Sequence, residues 1–359
     1  MKSKERQNDM INKPNSQSSP DLELLLIEET INQLEVGHSG YIRNLVINFL
    51  IALKSKPFII LTGPPESAKE KLVEDFNNIL IGKDTHQYQT MIGHPWWAAK
   101  SINVIENIRF QSRFNTFKLE LLLEEAVLFH NKNRIFIATM TKISRGELLE
   151  YFTETAFQLR HGQIMRLPGS HFFEPIPFPT NLSIIGTLDS SDFSWVDSDL
   201  LPQTTILPCL FISNSSSRNL KATMNQTSFQ KVLLQSSIRS PQQAFKKVLK
   251  VTNTLSQALL PFLQITQILR KELSRYAGNF LTEGMIYLAN SWSQTGNGLF
   301  SKDPRENLQF ALDLAIIQSL FLPCTDKISQ SKNLQDNLHK ILGNKFPNAA
   351  AYLHQLNPL

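Results

Sequence analysis

The residues best placed to do chemistry lie in GPPESAKEK, residues 63–71. A phosphate-binding loop of the form GxxxxGK[ST] works through three features. Its glycines let backbone N–H groups wrap the phosphates, its lysine meets the β- and γ-phosphates, and its final hydroxyl holds Mg²⁺. Gly63 and Lys69 fall in their places, whereas Ala68 replaces the second glycine, Glu70 replaces the hydroxyl residue and Glu66 adds a carboxylate. A carboxylate ~4 Å from a triphosphate costs a few kcal/mol in a partly screened site. Glu70 could reach Mg²⁺ itself, but its longer side chain would crowd the position. Gly63 and Lys69 are therefore the vestigial cofactor-binding candidates. The alternative is a plain strand-to-helix turn, with Lys69 a residual surface or loop-stabilising residue.

Other groups promise less. His38, His86, His130, His161, His171, His339 and His354 show no HxxxH or HExxH pairing, so no metal is expected. His94-Pro95-Trp96-Trp97 could stack a base, but a tryptophan packed on a sheet edge is the more ordinary role. Asp189, Asp192, Asp197 and Asp199 could hold a cation or simply be solvated. Between Asp199 and Glu272 there is no acidic residue, yet nine lysines and arginines fall there. Such a segment meets phosphate or an acidic protein face favourably. Arg218, Lys221, Lys246, Lys247 and Lys250 are the candidates for a nucleic acid or an acidic partner; the alternative is a helical hairpin with a solvated basic face.

These groups need elements to hold them. With 359 residues, 42% hydrophobic and 19% charged, the chain is neither disordered nor fibrous. Helical spacing over 22–53, broken at Gly37 to Gly40, precedes the apolar run FIILT, the Gly63 loop and the helix KEKLVEDFNNIL. A helix in FKLELLLEEAVLFHN, the strand RIFIATM, the helix RGELLEYFTETAFQL and the strand NLSIIGTL follow. Strands alternating with helices predict a mainly parallel sheet covered on both faces. Past residue 213 the spacing becomes helical throughout, and charge changes with it: 16 basic against 7 acidic residues there, 20 against 24 before. The expected organisation is a disordered lead over 1–21, an α/β core over 22–212 and a helical domain carrying the basic segment over 213–359. The lead is polar and has no signal-peptide core. No apolar run approaches the ~20 residues of a membrane span, and Cys209 and Cys324 form no disulfide or zinc pattern. A cytoplasmic protein is expected.

At this point the order of blocks resembles a family. ALKSKPFIILTGPPESAK, HPWWAAKSINVIENIRF, RIFIATMTKISRGELLEYFTETA and PIPFPTNLSIIGTLDSSDFSWVDSDLL, with LDLAIIQSLFLPCTDKISQSKNLQDNLHKIL and KFPNAAAYLHQL later, resemble the AAA+ module of the McrB family, the GTP-hydrolysing motors of modified-cytosine restriction. The resemblance covers residues 40 to 359 and implies an AAA+ three-layer parallel sheet followed by an α-helical lid.

The family's chemistry does not carry over. Its second acidic motif, Asp-Glu-Met-Asn, orients Mg²⁺ and polarises the attacking water; Ala138, Thr139, Met140 and Thr141 stand there. The γ-phosphate sensor falls on Asp189. An arginine finger should lie near Pro202 to Thr204, but residues 167–217 contain no arginine. The lid arginine falls near Asn279. Catalysis needs metal, water activation and charge neutralisation together, so no catalytic residue and no cofactor are expected. The resemblance implies a degenerate pseudo-ATPase subunit of a nucleic-acid-directed assembly, in restriction or antiviral defence, with an active AAA+ ATPase or a nuclease as partner and possibly DNA. The alternatives are a nucleic-acid-binding module using segment 213–271 and a non-hydrolysing nucleotide switch.

Overall fold

The computed structural model describes residues 20–34, 40–67, 69–82, 86–92, 117–143, 148, 152, 178–189, 203–209, 225–252, 256–343 and 345–356. Helices α1 (Leu22–Leu34) and α2 (Gly40–Ser55) come first. Asp21, counted with the lead, caps α1 by accepting from the backbone N–H groups of Glu23 and Leu24. Pro57 ends α2, and β1 (Phe58–Thr62) leads through a 3-10 turn, Pro65–Ser67, into α3 (Lys69–Leu80). Strands β2 (Tyr88–Ile92), β3 (Phe136–Thr141), β4 (Leu182–Leu188) and β5 (Thr204–Pro208) complete the core, with helix α4 over 117–127 between β2 and β3.

The five strands form one sheet in the order β2-β3-β4-β1-β5, and every pairing is parallel. Side chains alternate across it as the pleat requires. Ile59, Leu61, Ile137, Ile185 and Leu207 face α1, α2 and α3, while Phe58, Ile60, Phe136, Ala138, Met140 and Ile184 face Leu119, Leu122, Leu123 and Ala126 of α4. Burial on both faces is why these strands read as continuous apolar runs. The expected α/β fold with a parallel sheet flanked by helices is what forms.

The second half is helical: α5 (Gln226–Ser236), α6 (Pro241–Val251), α7 (Leu260–Glu272), α8 (Ser274–Asn290), α9 (Pro304–Ile316), α10 (Leu322–Gln330), α11 (Lys332–Leu342) and α12 (Pro347–Gln355). A π-turn over Ile317–Phe321 joins α9 to α10. That continuous helical stretch, Pro304–Gln330, is long and apolar enough to cross a membrane by length and composition, but 67% of its most apolar window is buried inside the protein. The change of structure type at residue 213 is not a break in the core. One apolar cluster runs from Phe49, Leu61 and Phe76 to Phe262, Trp292, Phe321 and Leu353.

Polar groups fasten the two halves. Lys54, fully buried in the last turn of α2, pairs with Glu23 at 2.7 Å and donates to the carbonyls of Asn290 and Trp292. Glu23 also accepts from Ser236 Oγ and the Gln294 backbone N–H. Asp21 accepts from Ser293, Thr295 and Asn297.

Candidate functional site

The carboxyl ends of parallel strands form the crevice in which open α/β sheets bind ligands. Here that edge gathers Gly63 after β1, Lys142 after β3, Asp189 after β4 and Cys209 after β5. The first of these ends is pressed shut. A Cβ on Gly63 would lie 2.0 Å from the Cys209 carbonyl oxygen, so only glycine fits. The Gly63 N–H donates to the Leu188 carbonyl at 3.2 Å, and the Cys209 N–H donates to Thr62. These bonds stitch β1 to β4 and β5 just where a phosphate loop would leave its N–H groups open.

Lys69 begins α3 and is fully buried. Its Nζ lies 3.1 Å from the Gly63 carbonyl, 2.8 Å from that of Pro64, 3.1 Å from Ser67 Oγ and 2.9 Å from Asp189 Oδ1. An ammonium carries three donors, so four acceptors leave it no proton for a phosphate. The expectation of a surface lysine is corrected, since Lys69 is wholly inside; its loop-stabilising role is what the geometry displays. Asp189 changes meaning as well. The sequence offered it as a cation holder or a solvated acid and the resemblance set it at the γ-phosphate sensor, but its carboxylate pairs with Lys69 at 2.9 Å.

Glu70, at the position of a phosphate loop's hydroxyl, is also engaged. Glu70 Oε1 accepts from Thr187 Oγ1 at 2.6 Å, and that hydroxyl accepts from the Lys142 backbone N–H at 2.8 Å. Lys142 has φ +54°, a left-handed conformation uncommon outside glycine and asparagine. Ala138 and Thr139 are buried in β3, and the Thr139 hydroxyl has no partner among the described residues. Burial pushes the Cys209 thiol up to about 12, with Lys69 pulling the other way, which favours the protonated thiol.

The basic segment is not one patch. Lys246 and Lys250 share an exposed side of α6, one turn apart, and Lys231 of α5 is exposed too. Lys247 instead donates to the Trp292 carbonyl at 3.3 Å, and burial, aided by repulsion from Lys54, lowers it to about 8. Its place among solvated phosphate-seeking cations is corrected: its side chain was drawn inward by the junction. Arg239, in the same segment, donates to the Thr180 and Leu53 carbonyls and is lowered to about 10 by burial. Arg218 and Lys221 lie outside the described residues, as do His94 to Trp97, Asp192, Asp197, Asp199, Pro202 and, apart from Leu148 and Phe152, the helix expected over 145–159.

Two neighbours escaped pattern reading. His339 and His354 sit with ring centroids 4.6 Å apart on α11 and α12, fifteen residues apart in the chain and so outside any HxxxH spacing. Among the described residues no group of three metal-ligating side chains forms. Lys56 pairs with Glu283 beside the start of β5, and burial lowers it to about 7. No protein-family model matches the chain, and no curated protein matches it either.

Proposed function

We propose that this chain is a degenerate AAA+ module of the McrB type, a subunit that neither binds nor hydrolyses nucleotide and acts as a structural or regulatory part of a nucleic-acid-directed assembly, in restriction or antiviral defence. The observation that carries this is the closed shell around Lys69. The motif's one clear cation is neutralised by Asp189 and by the carbonyls of its own loop. The strand order, with the Lys69 helix following a central strand flanked by β4 and β5, supports the AAA+ reading. Two buried free thiols fit a reducing cytoplasm. Calorimetry with Mg-ATP and Mg-GTP at sub-millimolar concentration tests the proposal together with a hydrolysis assay. No heat of binding and background turnover are expected. A micromolar Kd, or turnover abolished by Lys69→Ala, would favour the nucleotide-switch reading instead.

A DNA-binding role keeps one supporting observation, the paired exposure of Lys246 and Lys250. If they contact phosphates, the double charge reversal lowers the slope of log K against log salt by roughly two. An unchanged slope makes that face merely solvated.

A further inference from the structure

At the amino ends of the strands, away from Lys69 and Asp189, a partly open cavity of about 40 Å³ lies where α2, β5, α8 and α9 meet beside the π-turn. That is room for about three water molecules, or for one compound of similar size. Two of the lining residues are charged. Lys56, just past α2, has 7% of its side chain exposed, and Glu283 of α8, with 12%, accepts from its ammonium. Ile206 and Ala315 give the cavity its apolar wall.

Several polar groups of the lining are already engaged. Ser55 Oγ accepts from Asn290 Nδ2 at 3.0 Å, the Tyr287 hydroxyl donates to Asn48 Oδ1, and Ser319 Oγ donates to the Ala315 carbonyl. Thr204 differs. It is 3% exposed at the start of β5, it lines the same cavity, and its hydroxyl has no partner among the described residues. A buried hydroxyl left unpaired is costly, and an oxygen acceptor bound in the cavity would relieve it.

We propose that this cavity is an amine site in which Lys56 captures a small aldehyde or ketone as an imine, with Thr204 donating to the carbonyl oxygen and Glu283 carrying protons. Glu283 takes a proton from the Lys56 ammonium. The amine lone pair then attacks the carbonyl carbon, forming the C–N bond while the C=O π pair moves onto oxygen. A proton passes from nitrogen to that oxygen and gives a carbinolamine. Glu283 returns its proton to the new hydroxyl, the C–O bond breaks, and water departs from a protonated imine. One ammonium and one carbonyl compound become one iminium and one water, and Glu283 is restored.

The surroundings favour this chemistry over its neighbours. Burial, with repulsion from Arg239 added, lowers Lys56 to about 7, so near neutral pH a large share of it is the nucleophilic amine. Glu283 faces a cation before the reaction and after it, whereas a carbamate formed from carbon dioxide would set a second anion beside it.

Acetaldehyde with cyanoborohydride, which reduces an imine to a stable secondary amine, tests the site on the full chain at neutral pH, the modified lysines being read from a peptide map. Lys56 is expected to label at least about tenfold faster than the exposed Lys246 and Lys250. Benzaldehyde, too large for the cavity, should label Lys246 and Lys250 and spare Lys56. Thr204→Val is expected to slow labelling of Lys56 about tenfold, with a melting temperature equal to or above the parent's, because the lost hydroxyl makes no bond in the fold. Glu283→Gln should slow it by a similar factor; should that variant melt early, Thr204→Val carries the test by itself. Labelling of Lys56 no faster than that of the surface lysines, labelling indifferent to Thr204→Val, or labelling of Lys56 by benzaldehyde would each overturn the proposal.

Discussion

Lys54 and Lys69 are both fully buried lysines, each paired with one carboxylate and two backbone carbonyls, yet they occupy opposite situations. Glu23, the partner of Lys54, is 2% exposed, and the pair sits where α1, α2, α5 and the end of α8 converge. Asp189, the partner of Lys69, keeps 31% of its side chain exposed at the strand ends. One pair is sealed inside a junction between halves of the molecule; the other plugs a crevice from which solvent still reaches the acid. Of the two, only Lys69 stands in a sequence motif. The physical stakes are greater at Lys54, because losing one member of a sealed pair strands a charge with no water to relieve it.

The comparison can be broken by substitution. Lys54→Met leaves Glu23 buried and unpaired and is expected to cost about 3–5 kcal/mol of stability, read from a urea or thermal midpoint. Lys69→Met should cost less, about 1–2 kcal/mol, since Asp189 can turn to solvent and what remains is lost hydrogen bonding. Equal costs would mean that the two pairs are energetically alike and that the exposure of Asp189 does not matter.

A smaller effect sharpens the picture at the junction. Lys247 is held near 8 against an ordinary 10.5, first by burial and then by Lys54. Between those values the unfolded chain binds a proton that the folded chain does not, so this group makes stability rise with pH from about 8 to 10.5. Lys247→Met should flatten that rise and leave stability at neutral pH unchanged or up to about 1 kcal/mol higher. The Trp292 carbonyl keeps its bond from Lys54 in that variant. A steeper pH dependence, or a loss beyond about 1 kcal/mol, would show that Lys247 is a net support of the junction rather than a tolerated guest.

Much of the architecture was legible in the residues. β1 over Phe58–Thr62, α3 over Lys69–Leu80 and β4 over Leu182–Leu188 fall where apolar runs and turn residues place them, because a strand buried on both faces has to be written in uninterrupted apolar residues. β2 and β5 were not legible. Tyr88–Ile92 and Thr204–Pro208 mix polar with apolar residues, and as the two edges of the sheet each is paired on one side only. The helical spacing read past residue 213 takes shape over 245–277 as parts of three helices, with α6 ending at Val251, Pro261 near the start of α7 and α8 beginning at Ser274.

Residue types and spacing by themselves determined that the loop over 63–71 lacks the second glycine and the hydroxyl of a phosphate-binding loop, and that Ala138 and Thr139 carry no carboxylate. Those are properties of single positions. That Asp189, 120 residues along the chain, would neutralise Lys69, that Lys54 would reach Glu23 and the carbonyls beyond α8, and that Lys247 would turn inward while Lys246 stayed in solvent were decided only by the tertiary structure. An ammonium takes whichever oxygens the packed backbone brings within 3 Å, and strand order, not sequence distance, determines which those are.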